Sequence, residues 1–195
     1  MASTYTGLGT ELMVTGEAAG TWGTKTNTNL KILEQISGGY VSIALNTTGA
    51  TTLAVSDGAA TDANQVAHRI IKFTGSITGN QIVTIPLDVQ TFYIILNGTT
   101  DGSGTPTVQF KYASGSGSSV TWAASDKGTK IIYATADDGT NPNIVDVGMG
   151  TVTLAGTQTL TNKTLTSPKI GTSILDTNGL QLALLTATGS AVNEI

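Results

Sequence analysis

Thr107-Val-Gln-Phe-Lys-Tyr112 decides how the rest of the chain is read: Val108, Phe110 and Tyr112 alternate with Thr107, Gln109 and Lys111. A period of two places alternate side chains on opposite sides of a pleated strand, here apolar toward a core and polar toward water. Outward from it, the same kind of short run recurs at Tyr40–Leu45, Thr51–Val55, Ala67–Thr74, Gln81–Pro86, Thr91–Asn97, Ser119–Ala124, Thr129–Thr135 and Asn143–Val147. Turn formers separate the runs: Thr47-Thr48-Gly49, Asp57-Gly58, Gly79-Asn80, Asn97-Gly98, Asp101-Gly102, Ser114–Ser118, Lys127-Gly128 and Asp138-Gly139. Strands spaced in this way predict, over 40–150, an antiparallel β-sandwich or jelly-roll-like domain. In the run 81–87, Ile82, Thr84 and Pro86 point one way and Val83, Ile85 and Leu87 the other, so this strand is expected to be covered on both faces.

Composition agrees. The 195 residues include 24 Gly and, by count, 36 Thr, against 11% charged and 5% aromatic residues. Thr is β-branched and suits a pleated surface, whereas Gly and Asn supply turns. Nine Lys and Arg against 13 Asp and Glu leave a net charge of −4, which argues against nucleic acid as a partner. With no Cys and one His, there is no disulfide framework, thiolate metal site or histidine cluster within one chain. No run approaches 18 apolar residues, so no membrane insertion is expected, and Met1 to Tyr5 lacks the pattern of a signal peptide.

Upstream, residues 1–39 read as an irregular arm followed by a helix over 24–37. The arm carries Leu8, Leu12, Met13, Val14 and Trp22, with a short strand expected at Glu11–Thr15. Such a segment cannot bury these groups by itself and is expected to dock on something else. In the helix, Leu30, Leu33 and Ile36 recur at helical spacing and Ile32 widens the stripe. Thr26 to Asn29 offer capping oxygens, and Gly38-Gly39 provides the stop. A helix this short needs a partner or a sheet to pack on.

Residues 151–195 change character. They hold 11 Thr, the charged residues Lys163, Lys169, Asp176 and Glu194, and no aromatic side chain. The run 159–166 repeats Thr-Leu-Thr at an offset of five residues. A β-prone segment that cannot close its own core gains order when identical copies wind together. Leu160, Leu165 and Ile170 would then face a shared axis, as the β-rich start of a trimeric shaft.

These residues also carry a resemblance. Gly156-Thr-Gln-Thr-Leu-Thr-Asn-Lys-Thr-Leu-Thr-Ser-Pro-Lys-Ile170 resembles a segment common in tail fibres of tailed bacteriophages, where it precedes a repetitive trimeric shaft. Ile174-Leu-Asp-Thr-Asn-Gly179 and Leu184-Leu-Thr-Ala-Thr-Gly-Ser-Ala-Val-Asn-Glu-Ile195 are similar to fibre sequences of marine phages, cyanophages among them. Tyr5-Thr-Gly-Leu-Gly-Thr-Glu-Leu12 and Gly16-Glu-Ala-Ala-Gly-Thr-Trp-Gly-Thr-Lys-Thr-Asn-Thr-Asn-Leu30 resemble the N-terminal portion of such proteins. The resemblance implies a homotrimeric structural protein of the virion tail. Its N-terminal end would attach to the tail, the baseplate or an adaptor, and a distal region would meet a host-surface glycan or protein. It also implies that Asn193-Glu-Ile195 is followed by more chain in the full fibre. The anchoring and oligomer-interface set expected from all of this is Leu8, Leu12, Trp22, Leu30, Leu33, Ile36, Leu160, Leu165 and Ile170.

Chemistry-bearing motifs are weaker. Asp137, Asp138 and Asn141 with Asp57, Asp62 or Asp101 could offer oxygens to Ca²⁺, but without EF-hand spacing they read as turn formers. His68, in an apparent strand, reads as a structural histidine, with metal binding left to a trimer axis. Glu11, Glu17 and Glu34 lie in the arm and helix without an aromatic cleft, and Asp88 and Asp126 make no better glycosidase pair. Gly115-Ser-Gly117-Ser-Ser lacks the lysine and helix of a phosphate loop, and there is no Gly-x-Ser-x-Gly elbow. No enzyme and no cofactor are expected. The alternatives are a capsid decoration or head fibre, and a carbohydrate-binding module presenting loops 97–105 and 114–118.

Overall fold

A computed structural model describes residues 3–124 and 126–148, together with the backbone of two short strands, Ser173–Leu175 and Gln181–Leu184. The chain divides into two compact units, Met1–Thr151 and Val152–Ile195, so the arm and helix belong to the same unit as the β-domain. The fold is mainly β with one α-helix among the described residues.

In chain order the elements of the first unit are β1 (Thr4–Tyr5), β2 (Glu11–Leu12), α1 (Trp22–Gly38), β3 (Tyr40–Ala44), β4 (Gly49–Thr52), β5 (Ile70–Thr74), β6 (Ser76–Ile77), β7 (Gln81–Ile85), β8 (Thr91–Asn97), β9 (Thr100–Asp101), β10 (Val108–Tyr112), β11 (Val120–Trp122), β12 (Thr129–Ala134) and β13 (Ile144–Asp146). A 3₁₀ turn, Gln65–Ala67, precedes β5. It takes up Ala67 of the expected strand Ala67–Thr74, which begins only at Ile70, and the arm strand expected at Glu11–Thr15 is only Glu11–Leu12.

The antiparallel sandwich or jelly roll is corrected by the pairing. One sheet has the order β13-β12-β8-β5-β3 and the other β11-β10-β7-β4. Within them β3, β5 and β8 run parallel, and so do β4, β7 and β10. The chain alternates between the sheets, β3 to β4, β5 to β7, β8 to β10, so the segments 40–53, 70–85 and 91–112 stack as three turns of a parallel coil. A third, short side is formed by β6 and β9, also parallel.

Backbone hydrogen bonds carry the stacking around the corners: Leu45 N donates to Thr74 O at 2.8 Å, Thr78 N to Thr47 O at 2.8 Å, and Thr100 N to Gly75 O at 2.9 Å. The Gly-containing signals at 47–49, 79–80 and 97–98 are therefore corners leading to the opposite sheet, not hairpin turns. Gly75 marks one such corner: its φ is +108°, and an added Cβ would lie 2.9 Å from Leu45 O. After the third turn the chain changes direction. β11 pairs antiparallel with β10, and β12 pairs antiparallel with β8 and β13.

The core lies between the sheets. Val41, Ile71 and Ile95 stack in register on one side, and Thr51, Val83 and Phe110 on the other. Phe73 meets Trp122 edge to face at 6.0 Å and Phe110 at 6.5 Å, and Tyr93 meets Phe110 at 5.9 Å. The alternation in Thr107–Tyr112 resolves as read, with Val108, Phe110 and Tyr112 buried. The run 81–87 does not: Val83 and Ile85 are buried, but Ile82 is 40% exposed. Thr84 is buried on that outer side and shares a hydroxyl hydrogen bond with Thr52 at 2.9 Å.

In the second unit Ser173–Leu175 pairs antiparallel with Gln181–Leu184, with an irregularity between Ile174 and Leu175. The run 159–166 and the residues Leu160, Leu165 and Ile170 lie outside the described residues.

Candidate functional site

The arm and α1 form one surface, and polar side chains build it. β1 and β2 make a small antiparallel hairpin, with Thr4 opposite Leu12. The Asn29 amide bonds the backbone of Glu11 twice, accepting from Glu11 N at 3.0 Å and donating to Glu11 O at 2.9 Å. Lys25 donates to the Glu11 carboxylate. That bond holds the Glu11 carboxyl below its ordinary value and the Lys25 ammonium above its own. Further along, Glu17 accepts from Ser3 N at 2.8 Å and Ser3 Oγ at 3.0 Å.

Asn64 ties the arm to the coil. It is fully buried, and its amide donates to Leu8 O at 2.9 Å, while Gly58 N donates to Gly9 O at 2.8 Å. Leu8 itself packs against the chain's own core, which corrects its expected place on a partner. Because it lies beside Asn64 and the 56–58 loop, its apolar surface is satisfied at home.

The helix begins at Trp22 rather than 24. Thr21 occupies the N-cap without a side-chain capping bond, so the oxygens of Thr26 to Asn29 do not cap it. At its other end, an added Cβ on Gly39 would meet Gln35 backbone at 2.7 Å, so Gly39 is needed for close approach. Ile32 is its only buried residue. Gln35 joins the body through His68, ring Nε2 to amide nitrogen 3.1 Å, and its carbonyl accepts from Arg69 N at 3.2 Å. The face turned to the body is thus Lys25, Asn29, Ile32 and Gln35, with Ile36 half-buried beside it.

The expected stripe divides: Ile32 is buried against the body, whereas Leu30 and Leu33 are exposed by 57% and 52%. At 100° per residue Trp22, Leu30 and Leu33 lie within about 80° of one another on the helix. Trp22 is 65% exposed and, with Met13, Val14 and Ala18, lines a hollow of about 390 Å³. Leu12 is 52% exposed on the adjoining hairpin. Sequence reading missed Asn29 and Asn64 as clamps. Asn29 carried a signal for a helix cap, and Asn64 none beyond a turn-prone residue.

The other candidates have local partners. His68 is buried after the 3₁₀ turn, not within a strand; its Nδ1–H donates to Asn64 O at 3.0 Å, which leaves Nε2 to accept from Gln35. Asp101 pairs with Lys127 at 2.6 Å, Asp138 accepts from Thr140 N at 2.8 Å, and Asn141 accepts from Ser116 N at 2.8 Å. The Thr135 hydroxyl lowers the Asp137 carboxyl pKa. Among the described residues no group of three or more acidic or His side chains is placed to hold a metal. Loop 114–118 is pressed on 140–143, where a Cβ on Gly117 would overlap Pro142 O at 1.9 Å. Phe110 and Tyr112, the aromatics between loops 97–105 and 114–118, are buried, and burial raises the Tyr112 phenol pKa.

Comparisons with protein-family models, curated proteins and solved structures return no match.

Proposed function

We propose that this chain is a structural component of a homotrimeric phage tail fibre, in which the arm and α1 attach the fibre to the tail, baseplate or an adaptor protein. The observation that carries the reading is the outward apolar surface of Leu12, Met13, Trp22, Leu30 and Leu33 on a hairpin and helix whose inward side is clamped by polar bonds. Apolar side chains held in a set shape and turned to water are what an interface requires. Each is already partly covered, so burying what remains against a partner contributes about 1 kcal/mol, and several together give a firm attachment. Threefold repetition multiplies it. The fibre resemblance of 5–12, 16–30 and 156–170 supplies the kind of partner.

The attachment is tested with Leu33→Asp in the phage. The expected result is particles that lack the fibre while the purified variant keeps wild-type circular dichroism. Normal incorporation of the folded variant contradicts the reading. Antibody labelling in electron microscopy places the chain on tail or head and so separates this reading from a head fibre.

A further inference from the structure

We propose that Asp138-Gly139 is a site of spontaneous covalent modification, at which the folded chain converts aspartate to isoaspartate. The chemistry is intramolecular. The glycine nitrogen attacks the side-chain carboxyl carbon of the residue before it and forms a C–N bond. Aspartate, as its carboxylic acid, loses its hydroxyl with the amide proton as water, and asparagine loses ammonia. Water then opens the succinimide, and opening at the main-chain carbonyl leaves the chain running through the side-chain carboxyl, one methylene longer. Glycine hinders this least because it has no Cβ. Five such steps occur in the sequence: Asp57-Gly58, Asn97-Gly98, Asp101-Gly102, Asp138-Gly139 and Asn178-Gly179, the last of which lies outside the described residues.

Three of the other steps are locked. In each the attacking nitrogen is already a donor: Gly58 N to Gly9 O at 2.8 Å, Gly98 N to Phe73 O at 2.9 Å, and Gly102 N to Ile77 O at 2.8 Å. Each glycine is also crowded, since an added Cβ would lie 3.3 Å from the Tyr5 ring, 2.8 Å from Lys72 Cε and 2.7 Å from Ser76 Oγ, respectively. Asn97 is held by its side chain as well. It is buried, its Nδ2 donates to Asp126 O at 2.7 Å, and its Oδ1 accepts from Thr99 Oγ at 2.7 Å. Attack at Asn97 must break these bonds, so it waits for the coil to open.

Gly139 differs on both counts. Its N–H has no hydrogen-bond partner among the described residues, and an added Cβ would meet nothing within 4 Å. Asp138 and Gly139 are both exposed. The Asp138 carboxylate accepts from Thr140 N at 2.8 Å, which folds it back over the intervening peptide. The base of this loop, by contrast, is fixed. Thr135 N donates to Asn143 O at 3.0 Å, Ala136 N to the Tyr112 hydroxyl at 2.8 Å, and Ser116 N to Asn141 Oδ1 at 2.8 Å. The tip can therefore react while the coil stays folded. This inference rests on the loop between β12 and β13 and does not depend on what the arm attaches to.

Asp138→Asn in the full chain places the same Asn-Gly pair at an open position and at a locked one. Trypsin separates the two, with position 97 in the fragment 73–111 and position 138 in 131–163. At neutral pH, position 138 of the folded variant should lose ammonia at least roughly tenfold faster than Asn97, and the two should convert at similar rates in denaturant. In the wild-type chain, an isoaspartate-specific methyltransferase should come to label 131–163 on prolonged incubation, and should label 32–69 and 73–111 only after incubation unfolded. Gly139→Ala should suppress the label in 131–163 with the circular dichroism unchanged, since its Cβ meets open space. Equal rates at 97 and 138 in the folded variant overturn the proposal. So does a gap that persists in denaturant, because sequence and not fold would then set it, and so does a wild-type 131–163 that never takes the label.

Discussion

The coil and the arm-with-helix are assembled on opposite plans. In the coil, Phe73, Phe110, Trp122 and the stacked Ile and Val residues are buried, while most of the polar residues of its strands face water. In the arm and helix, polar groups face inward, in Glu11, Lys25, Asn29 and Gln35, and Trp22, Leu30 and Leu33 face out. The coil is held by the hydrophobic effect, which is roughly additive in area and insensitive to pH. The appendage is held by a few directional bonds, one buried isoleucine and the packing of Leu8, so it can loosen while the coil stays folded.

The sharpest way to separate the two is Phe73→Ala. It removes a ring fully buried between the sheets and should destabilise the coil by about 3–5 kcal/mol, read as a lower denaturant midpoint. Next, Asn64→Ala removes the donor to Leu8 O from a fully buried site and should cost about 1–3 kcal/mol, with earlier proteolytic cleavage in the first 20 residues than in the coil. Cleavage spread evenly over both regions would erase the distinction between them.

Acid acts on the appendage in a definite direction. The folded-state pKa of Glu11 lies below the ordinary value of 4.5, so its stabilisation is present above that pH and is lost as pH falls through the folded-state value. Protection of the Glu11 and Leu12 amides, measured against the intrinsic exchange rate at each pH, should therefore fall as pH drops below the ordinary carboxylate value while that of β8 does not, and Glu11→Gln should abolish the difference. The smallest effect on stability is expected from Leu33→Asp, within about 0.5 kcal/mol because the side chain already faces water. That same change should remove the fibre from the particle, so stability and attachment part company at this residue.

Much of the strand layout was legible. Thr91–Asn97 matches its expected bounds, and Gln81–Pro86, Thr129–Thr135 and Tyr40–Leu45 differ from theirs by one residue. Period-two alternation reports which side of a strand meets the core, and that information is local. The small strands β1, β6 and β9 were not legible, because two residues carry no period. Nor was the buried face of α1, since Leu30, Leu33, Ile36 and Ile32 are all good core residues and spacing alone ranks them together. What distinguishes them is the position of Glu11 and His68, 21 residues before and 36 after Ile32 in the chain.

Local pattern in the chain therefore suffices for where strands lie, where the helix ends, and that few charges take part in holding the molecule together. The direction of pairing comes from the folded chain. A Gly-rich corner serves equally to fold a strand back beside its neighbour or to send the chain across to a facing sheet. The choice falls to contacts formed one coil turn away, such as Leu45 with Thr74 and Gly75 with Thr100, which no local pattern encodes.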